Sequence, residues 1–272
     1  MIAMQAELHG NSRLPAGVSQ AASAASAASP GGNMEGKEVR FGPSGSALMT
    51  VGTMGTTAGA TDSALDSYTP VGGTAAFAGI LLGEISPGGD GGGLYGILVL
   101  ALLSVFIAGL MVVRTPEFLG KKIRSSQMKL VVAYVLTIPV TVLVFGSISL
   151  VISPGTSPAL NPGMHGLSEI TYAYASVAQN NGSAFAGLAA NTPWYDVTLG
   201  ITMLIGRFVP IVLALAIAGS LGGARVHART RATLDTAGLT FAGFLTGVIV
   251  IVGGLIYFPM LILGPVGERI VG

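Results

Sequence analysis

Residues 94–113 read LYGILVLALLSVFIAGLMVV, twenty residues without a charged side chain. At ~1.5 Å rise per residue this stretch covers a hydrocarbon core of ~30 Å, which predicts a transmembrane helix. Residues 130–152, 198–221 and 239–263 meet the same test, and only the second of these carries a charge, Arg207. Composition agrees: of 272 residues 51% are hydrophobic and 9% charged, against roughly 25% charged in a soluble domain. A soluble globular protein is excluded. Thirteen Lys and Arg against 12 Asp and Glu leave a net charge of +1, without the basic excess of a nucleic-acid binder, so no nucleic-acid partner is expected. With no cysteine, disulfides, Cys-ligated zinc and thiol catalysis are ruled out, and His9, His165 and His227 are too scattered to promise a metal site.

The charges orient the four spans, because short loops rich in Lys and Arg stay cytoplasmic. Residues 114–129 hold five positive charges and one negative, and residues 222–238 hold Arg225, Arg229 and Arg231 against Asp235. Residues 153–197 contain Glu169 and Asp196 but no Lys or Arg, and the first 93 residues hold seven acidic against three basic side chains. Both of the latter regions are expected outside, which puts both termini on the outer face. Residues 1–42 include the low-complexity run at 21–29 and no apolar core long enough for a signal peptide, and they are expected to form an external, mobile segment.

A repeat organises the remainder. Residues 43–61 form a moderately apolar segment too short to cross; a span, a basic loop and another span follow. Residues 165–184 start the same order again. The two short segments read MTVGTMGTTAGATDS (49–63) and TYAYASVAQNNGSAF (171–185), with central glycines Gly59 and Gly182 lying 123 residues apart. A short apolar segment between external loops is best read as re-entrant. Non-helical backbone at membrane depth is tolerated only where protein encloses it or water lines it. A short helix entering from outside aims its C-terminal end, with roughly −0.5 charge, at mid-membrane. Glycine at the following turn permits positive φ angles that point successive carbonyls inward, where they can replace an ion's hydration shell. Small residues that merely let helices approach would give the same composition, so a packing role for the glycines stands beside the filter reading.

Six strings then carry a family resemblance: NMEGKEVRFG (33–42), LDSYTPVGG (65–73), GLYGILVLALLSVFIAGLMVVRTPEFLGKKI (93–123), LNPGMHGLSEITYAYASVAQNNGSAFAGL (160–188), GRFVPI (206–211) and AIAGSL (216–221). From about residue 33 onward the chain resembles the potassium-binding, channel-like subunits of Kdp potassium-transporting ATPases. That resemblance implies an all-α integral membrane protein of the superfamily of potassium transporters. In that superfamily four linked pore modules, each a span, a re-entrant pore helix with filter loop and a second span, surround one pseudo-fourfold axis. The chain is expected to be half of such a pore: four transmembrane helices and two re-entrant pore helices. Residues 43–129 would be the filter loop and second span of module three with its basic loop, 130–238 module four with its loop, and 239–272 a closing helix and external C-terminus. Within module four, residues 165–178 would be the pore helix. A fragment, a split gene product and a mis-called start all fit this length.

The resemblance further implies that backbone carbonyls of Thr57, Ala58, Gly59 and Ala60, and of Asn180, Asn181, Gly182 and Ser183, coordinate dehydrated K⁺, the transported ion, with no organic cofactor. It departs from the family pattern at Asp62 and Leu65, where Asn and His are usual. Asp62 either raises local cation concentration or caps a turn. Arg207 is expected to face the bundle interior, since a cation at that depth costs ~2.5 to 3.5 kcal/mol on insertion scales. The resemblance makes it a positive charge below the filter that turns K⁺ sideways; pairing with Glu169 or Asp196 is the structural alternative. Glu84 and Asp90 read as solvated external residues, and Trp194 and Tyr195 as interfacial anchors. The basic loops suit either anionic lipid or a catalytic subunit. No GxxxxGK[ST] motif and no DKTGT-like loop is present. The expected role is therefore a non-catalytic subunit of the bacterial plasma membrane, partnered by a P-type ATP-hydrolysing subunit, small accessory subunits and the missing N-terminal half. A self-assembling cation channel or secondary K⁺ transporter is the alternative.

Overall fold

The computed structural model describes residues 1–12, 14, 20, 31–83, 88–89, 92–112, 115–226, 235–236 and 238–271. In chain order the helices are α1 (Ile2–Leu8), α2 (Gly42–Gly55), α3 (Pro70–Gly83), α4 (Gly93–Met111), α5 (Ser125–Val151), α6 (Ser153–Thr156), α7 (Gly163–Ala178), α8 (Pro193–Gly222), α9 (Leu239–Leu261) and α10 (Gly267–Val271). A two-stranded hairpin, β1 (Glu117–Phe118) with β2 (Lys121–Lys122), sits between α4 and α5. Helices α4, α5, α8 and α9 are long and apolar enough to cross a membrane. They coincide with the four spans read from hydropathy. Helix α8 starts earlier than its apolar run because Pro193 stands in its first turn and the Thr192 hydroxyl accepts from the Tyr195 amide at 3.5 Å.

The short helices α2 and α7 fall on the two segments read as re-entrant. Helix α7 packs between α5 and α8, and α2 against α3. Tyr174 locks α7 in place: its hydroxyl lies 2.7 Å from Ser149 Oγ on α5 and 2.8 Å from Thr198 Oγ1 on α8. Trp194 Nε1 donates to the same Ser149 oxygen at 2.8 Å, and the fully buried Tyr195 donates to the Gly155 carbonyl at 2.6 Å. Both aromatics thus fasten neighbouring helices, Tyr195 from a fully buried position.

Helix α3 was not anticipated. Its fourteen residues are too few to cross alone, and their burial comes from neighbouring protein. It extends the repeat, because Thr69-Pro70 and Thr192-Pro193 are separated by the same 123 residues as the central glycines. The Thr69 hydroxyl accepts from the Gly72 amide at 3.1 Å as Thr192 does from Tyr195. Helix α3 thus corresponds to the first half of α8, and α3 with α4 forms one interrupted second span. The interruption falls in the glycine-rich run at 88–93. Gly89 there sits against the Thr57 side chain, so the break lies beside the loop that follows α2. Glu84 and Asp90 lie outside the described residues.

The expectation of a loose 1–42 segment fails for its ordered parts. Helix α1 packs on α2 and α3 through Glu7, which is fully buried. Its carboxylate accepts from Asn33 Nδ2 at 2.7 Å and from the Thr69 amide and hydroxyl at 2.9 and 2.7 Å, and pairs with Lys37 Nζ at 2.8 Å. A buried carboxylate is tolerable only with such partners. Burial lowers the Lys37 pKa, opposed by the Glu7 charge and hydrogen bond. The run at 21–29 lies outside the described residues. Breaking a buried pair from one side costs about 3 to 5 kcal/mol. Glu7→Ala is therefore expected to lower the thermal unfolding midpoint in detergent sharply, while Glu7→Leu with Lys37→Met lowers it less; equal loss in both would show that the pairing is not what matters.

Candidate functional site

Both re-entrant helices stop where their backbone reverses hand. After α2, Thr57 has φ 55° and Gly59 φ 70°; after α7, Asn180 has φ 61° and Gly182 φ 75°. The residues just before, Thr56 and Gln179, share φ/ψ near −98°/7° and −91°/2°. The loops therefore repeat residue for residue with the 123-residue period. Positive φ alternating with negative φ aligns successive carbonyls on one side of the chain, the arrangement a dehydrating cation filter needs. Thr57 is the costly member, since a β-branched residue rarely accepts this conformation.

Each loop is fastened to its own helix. The Thr57 amide bonds Met54 O at 3.1 Å, and the Asn180 amide bonds Val177 O at 3.0 Å, again at matching positions. Thr53 Oγ1 donates to the Ala60 carbonyl at 2.5 Å, so one lone pair of that expected ion ligand is in use. Ser176, the repeat partner of Thr53, donates to Asn181 Oδ1 at 2.7 Å; the same oxygen accepts from Ser183 N and Oγ, each at 2.9 Å. The two loops also touch. A Cβ on Gly59 would stand 2.6 Å from Asn181 Oδ1, and the Tyr172 hydroxyl lies 2.9 Å from Ser183 Oγ and 3.0 Å from Met54 Sδ. Gly182 has no atom within 4 Å of where its Cβ would be, so it is kept as glycine by backbone conformation rather than by space.

Beneath the loops lies a polar cavity of about 230 Å³. Thr57, Ala58, Asn180, Asn181, Gln179 and Arg207 all line it. Arg207 reaches this position because Gly206 lies directly against the Ala178 carbonyl, where any Cβ would collide. Among the described residues no ion pair joins Arg207 to Glu169 or Asp196. The buried Gln179 carboxamide, which the sequence reading passed over, faces this space with neither polar atom hydrogen bonded.

The family described as Potassium-transporting ATPase A subunit matches residues 1–270. The chain belongs to that family. It is 54% identical over 269 residues to the potassium-transporting ATPase potassium-binding subunit of Mycobacterium tuberculosis (strain H37Rv), a match covering 98% of this chain and 47% of the relative. The subunits of the same name from Streptomyces coelicolor and Rhizobium rhizogenes are 54% and 51% identical over 239 and 240 residues, covering 88% of this chain each and 43% and 42% of those proteins. The chain thus spans about half the length of the curated relatives it matches. The likeness begins at residue 1, so α1 is part of the Potassium-transporting ATPase A subunit pattern and not an appendage.

At the end of this family member opposite the basic loops, His165 ties three segments together. Its Nε2 lies 2.7 Å from Asp66 Oδ1, just past the first filter loop, and its Nδ1 lies 3.0 Å from Glu268 on α10. Burial opposes charge on this imidazole, but the hydrogen bonds to Asp66 and then Glu268, with their charges, hold its pKa up to about 10. Glu169, the proposed alternative partner of Arg207, is instead taken by Leu160 N at 3.0 Å and by Asn161 N and Nδ2 at 3.2 and 2.7 Å. Asp66, His165 and Glu169 bring ligand atoms within 4.8 Å of one another, as a metal site would. As imidazolium, His165 already satisfies both carboxylates it touches. Asp62 Oδ1 is buried without a hydrogen bond, so that oxygen does not cap the turn.

A group whose folded pKa is raised contributes stability fully below its unfolded pKa and loses it as pH rises through the folded one. The unfolding midpoint is expected to hold up to about pH 6.5 and to decline toward about pH 10 as His165 deprotonates. In His165→Gln that alkaline decline should flatten; an unchanged pH profile in the variant would remove His165 as its origin.

Proposed function

We propose that this chain supplies two of the four filter loops of a K⁺-binding and translocating subunit in an ATP-driven potassium uptake system. The observation that carries this reading is the pair of loops whose backbone alternates hand at matching positions, one after each re-entrant helix, meeting at Gly59 and Asn181. Carbonyls of residues 57–60 and 180–183 receive K⁺ after it sheds water, and K⁺ is the only cofactor the reading requires. Arg207, in the cavity below, repels the ion from a direct exit and turns it toward a P-type ATP-hydrolysing subunit. Hydrolysis belongs to that partner, so the chain is a non-catalytic subunit. Further partners are the small accessory subunits, the N-terminal half that provides the other two loops, and membrane lipids. The location is the bacterial plasma membrane. The five cations on residues 114–129 face the cytoplasm, with both termini outside.

The test is growth of a potassium-uptake-deficient bacterium on micromolar K⁺, with the chain expressed beside the other Kdp subunits. Rescue is expected only when a chain carrying the N-terminal half is also supplied. Rescue without it would overturn the half-pore reading, and failure with it would overturn the transport role. In the rescuing combination Gly182→Ala should abolish growth by straining a φ of 75°. Arg207→Ala should uncouple ATP hydrolysis from uptake while Arg207→Lys retains part of the coupling. Unchanged uptake and coupling in both Arg207 variants would remove the gating charge from the mechanism.

A further inference from the structure

At the end of the molecule remote from His165, the two basic loops are joined rather than separate. Lys121 pairs with Val226 in an antiparallel bridge, and its Nζ donates to the Leu221 carbonyl at 2.7 Å and the Gly222 carbonyl at 3.4 Å. That ammonium neutralises the C-terminal end of α8. Gln127 Nε2 donates to Ser220 Oγ at 2.9 Å, tying the start of α5 to the end of α8. These contacts wall a cavity of about 460 Å³ lined by Lys122, Arg124 and Arg225 with Ser126, Gln127 and Ser220. No carboxylate lines it among the described residues. The nearest acid placed by the hairpin register is Glu117, across from Lys122. The first turn of α5, a helix of 27 residues, opens at the same place and adds its partial positive charge.

We propose that this cavity holds the phosphate-bearing headgroup of an anionic phospholipid. Three cations from two loops, hydroxyls and a carboxamide on the same wall, and the positive end of a helix all suit a phosphodiester oxygen. The cavity is larger than an inorganic phosphate requires and leaves room for a glycerol group. Its position selects lipid over a soluble anion, because it sits where two membrane spans end. Exposed apolar side chains on the adjoining turns, Val132 (46%) on α5 and Val212 (62%) and Leu215 (67%) on α8, would lie beside the acyl chains. The proposal rests on the orientation given above only in assigning the lipid to the cytoplasmic leaflet.

Native mass spectrometry of the full chain in detergent, with phosphatidylglycerol or phosphatidylcholine added, tests it without any transport readout. Phosphatidylglycerol should be retained preferentially. Each cation near an anionic headgroup is worth about fivefold in binding. Lys122→Gln, Arg124→Gln and Arg225→Gln combined should therefore weaken its retention on the order of a hundredfold, while phosphatidylcholine binding stays unchanged and reports an intact fold. Ser126→Glu, which adds a negative charge and removes no cation, should weaken it too. Lys129→Gln, outside the cavity, should not. Equal retention by wild type and both cavity variants would overturn the proposal, as would equal loss in Lys129→Gln. Displacement of phosphatidylglycerol by an equal concentration of inorganic phosphate would overturn the lipid assignment. None of these outcomes bears on whether the filter loops conduct K⁺.

Discussion

Backbone polar groups cannot be left unanswered at membrane depth, and the rest of this structure is arranged around that requirement. Each uncompensated N–H or C=O in hydrocarbon costs several kcal/mol, yet the chain abandons helical bonding at both filter loops and again between α3 and α4. The amides are answered locally: Gly59 N bonds Thr53 O at 3.2 Å and Asn181 N bonds Ser176 O at 3.3 Å, folding each loop back on the helix it follows. Thr57, Ala58, Asn180 and Asn181 of the same loops line the polar cavity. The glycine-rich break adds its own backbone to that cavity through Gly89 and Gly92. Irregular backbone is thus gathered at one level, where it is enclosed by helices and lines a single polar space.

Strained loops persist only when their surroundings over-determine them. Here the surroundings are the buried rings of Phe77, Tyr172 and Phe185, with centroids 4.7 to 6.5 Å apart. Tyr172 belongs to α7, Phe77 to α3 and Phe185 to the segment after the second loop. One aromatic cluster therefore fixes both modules, and the hydroxyl of Tyr172 passes that fixation on to Ser183. The outer clasp of Asp66, His165 and Glu268 repeats the logic at a second level, binding the segment after the first loop, the start of α7 and the end of the closing helix. Between α9 and α10, which carries Glu268, the chain departs from helical geometry at Gly264.

The long spans were legible from the sequence because hydropathy over twenty residues is a property of the chain itself. The turns at Gly59 and Gly182 were legible because a turn at fixed spacing needs glycine, and Arg207 stood out because a lone cation in an apolar run has few explanations. What stayed hidden depends on neighbours. Helix α3 is covered by α1, α2 and α9, and nothing in fourteen apolar and small residues tells protein burial from a loop. Glu7 drew no notice because its partners, Asn33, Lys37 and Thr69, are distant in sequence. Trp194 and Tyr195 read as interfacial because their acceptors, Ser149 and the Gly155 carbonyl, come from another helix. Thr53 and Ser176 carried a signal that was overlooked: two hydroxyls at the repeat spacing, each facing its own loop.

The repeat is most informative where it breaks. Gly83 and Gly206 are repeat partners, and each lies against the end of its own re-entrant helix, Gly83 at the Met54 carbonyl and Gly206 at the Ala178 carbonyl. The next residue in module four is Arg207, and its counterpart in module three is Glu84. Helix α8 runs on through Arg207 for four more turns, and the described part of α3 reaches Gly83. Two copies of one supersecondary unit thus carry opposite charges at the matching position of the repeat. A symmetric channel has no use for that difference. In the proposed function it has one: a pore that admits an ion through equivalent loops and then sends it to one side needs unequal exits to give the ion a direction.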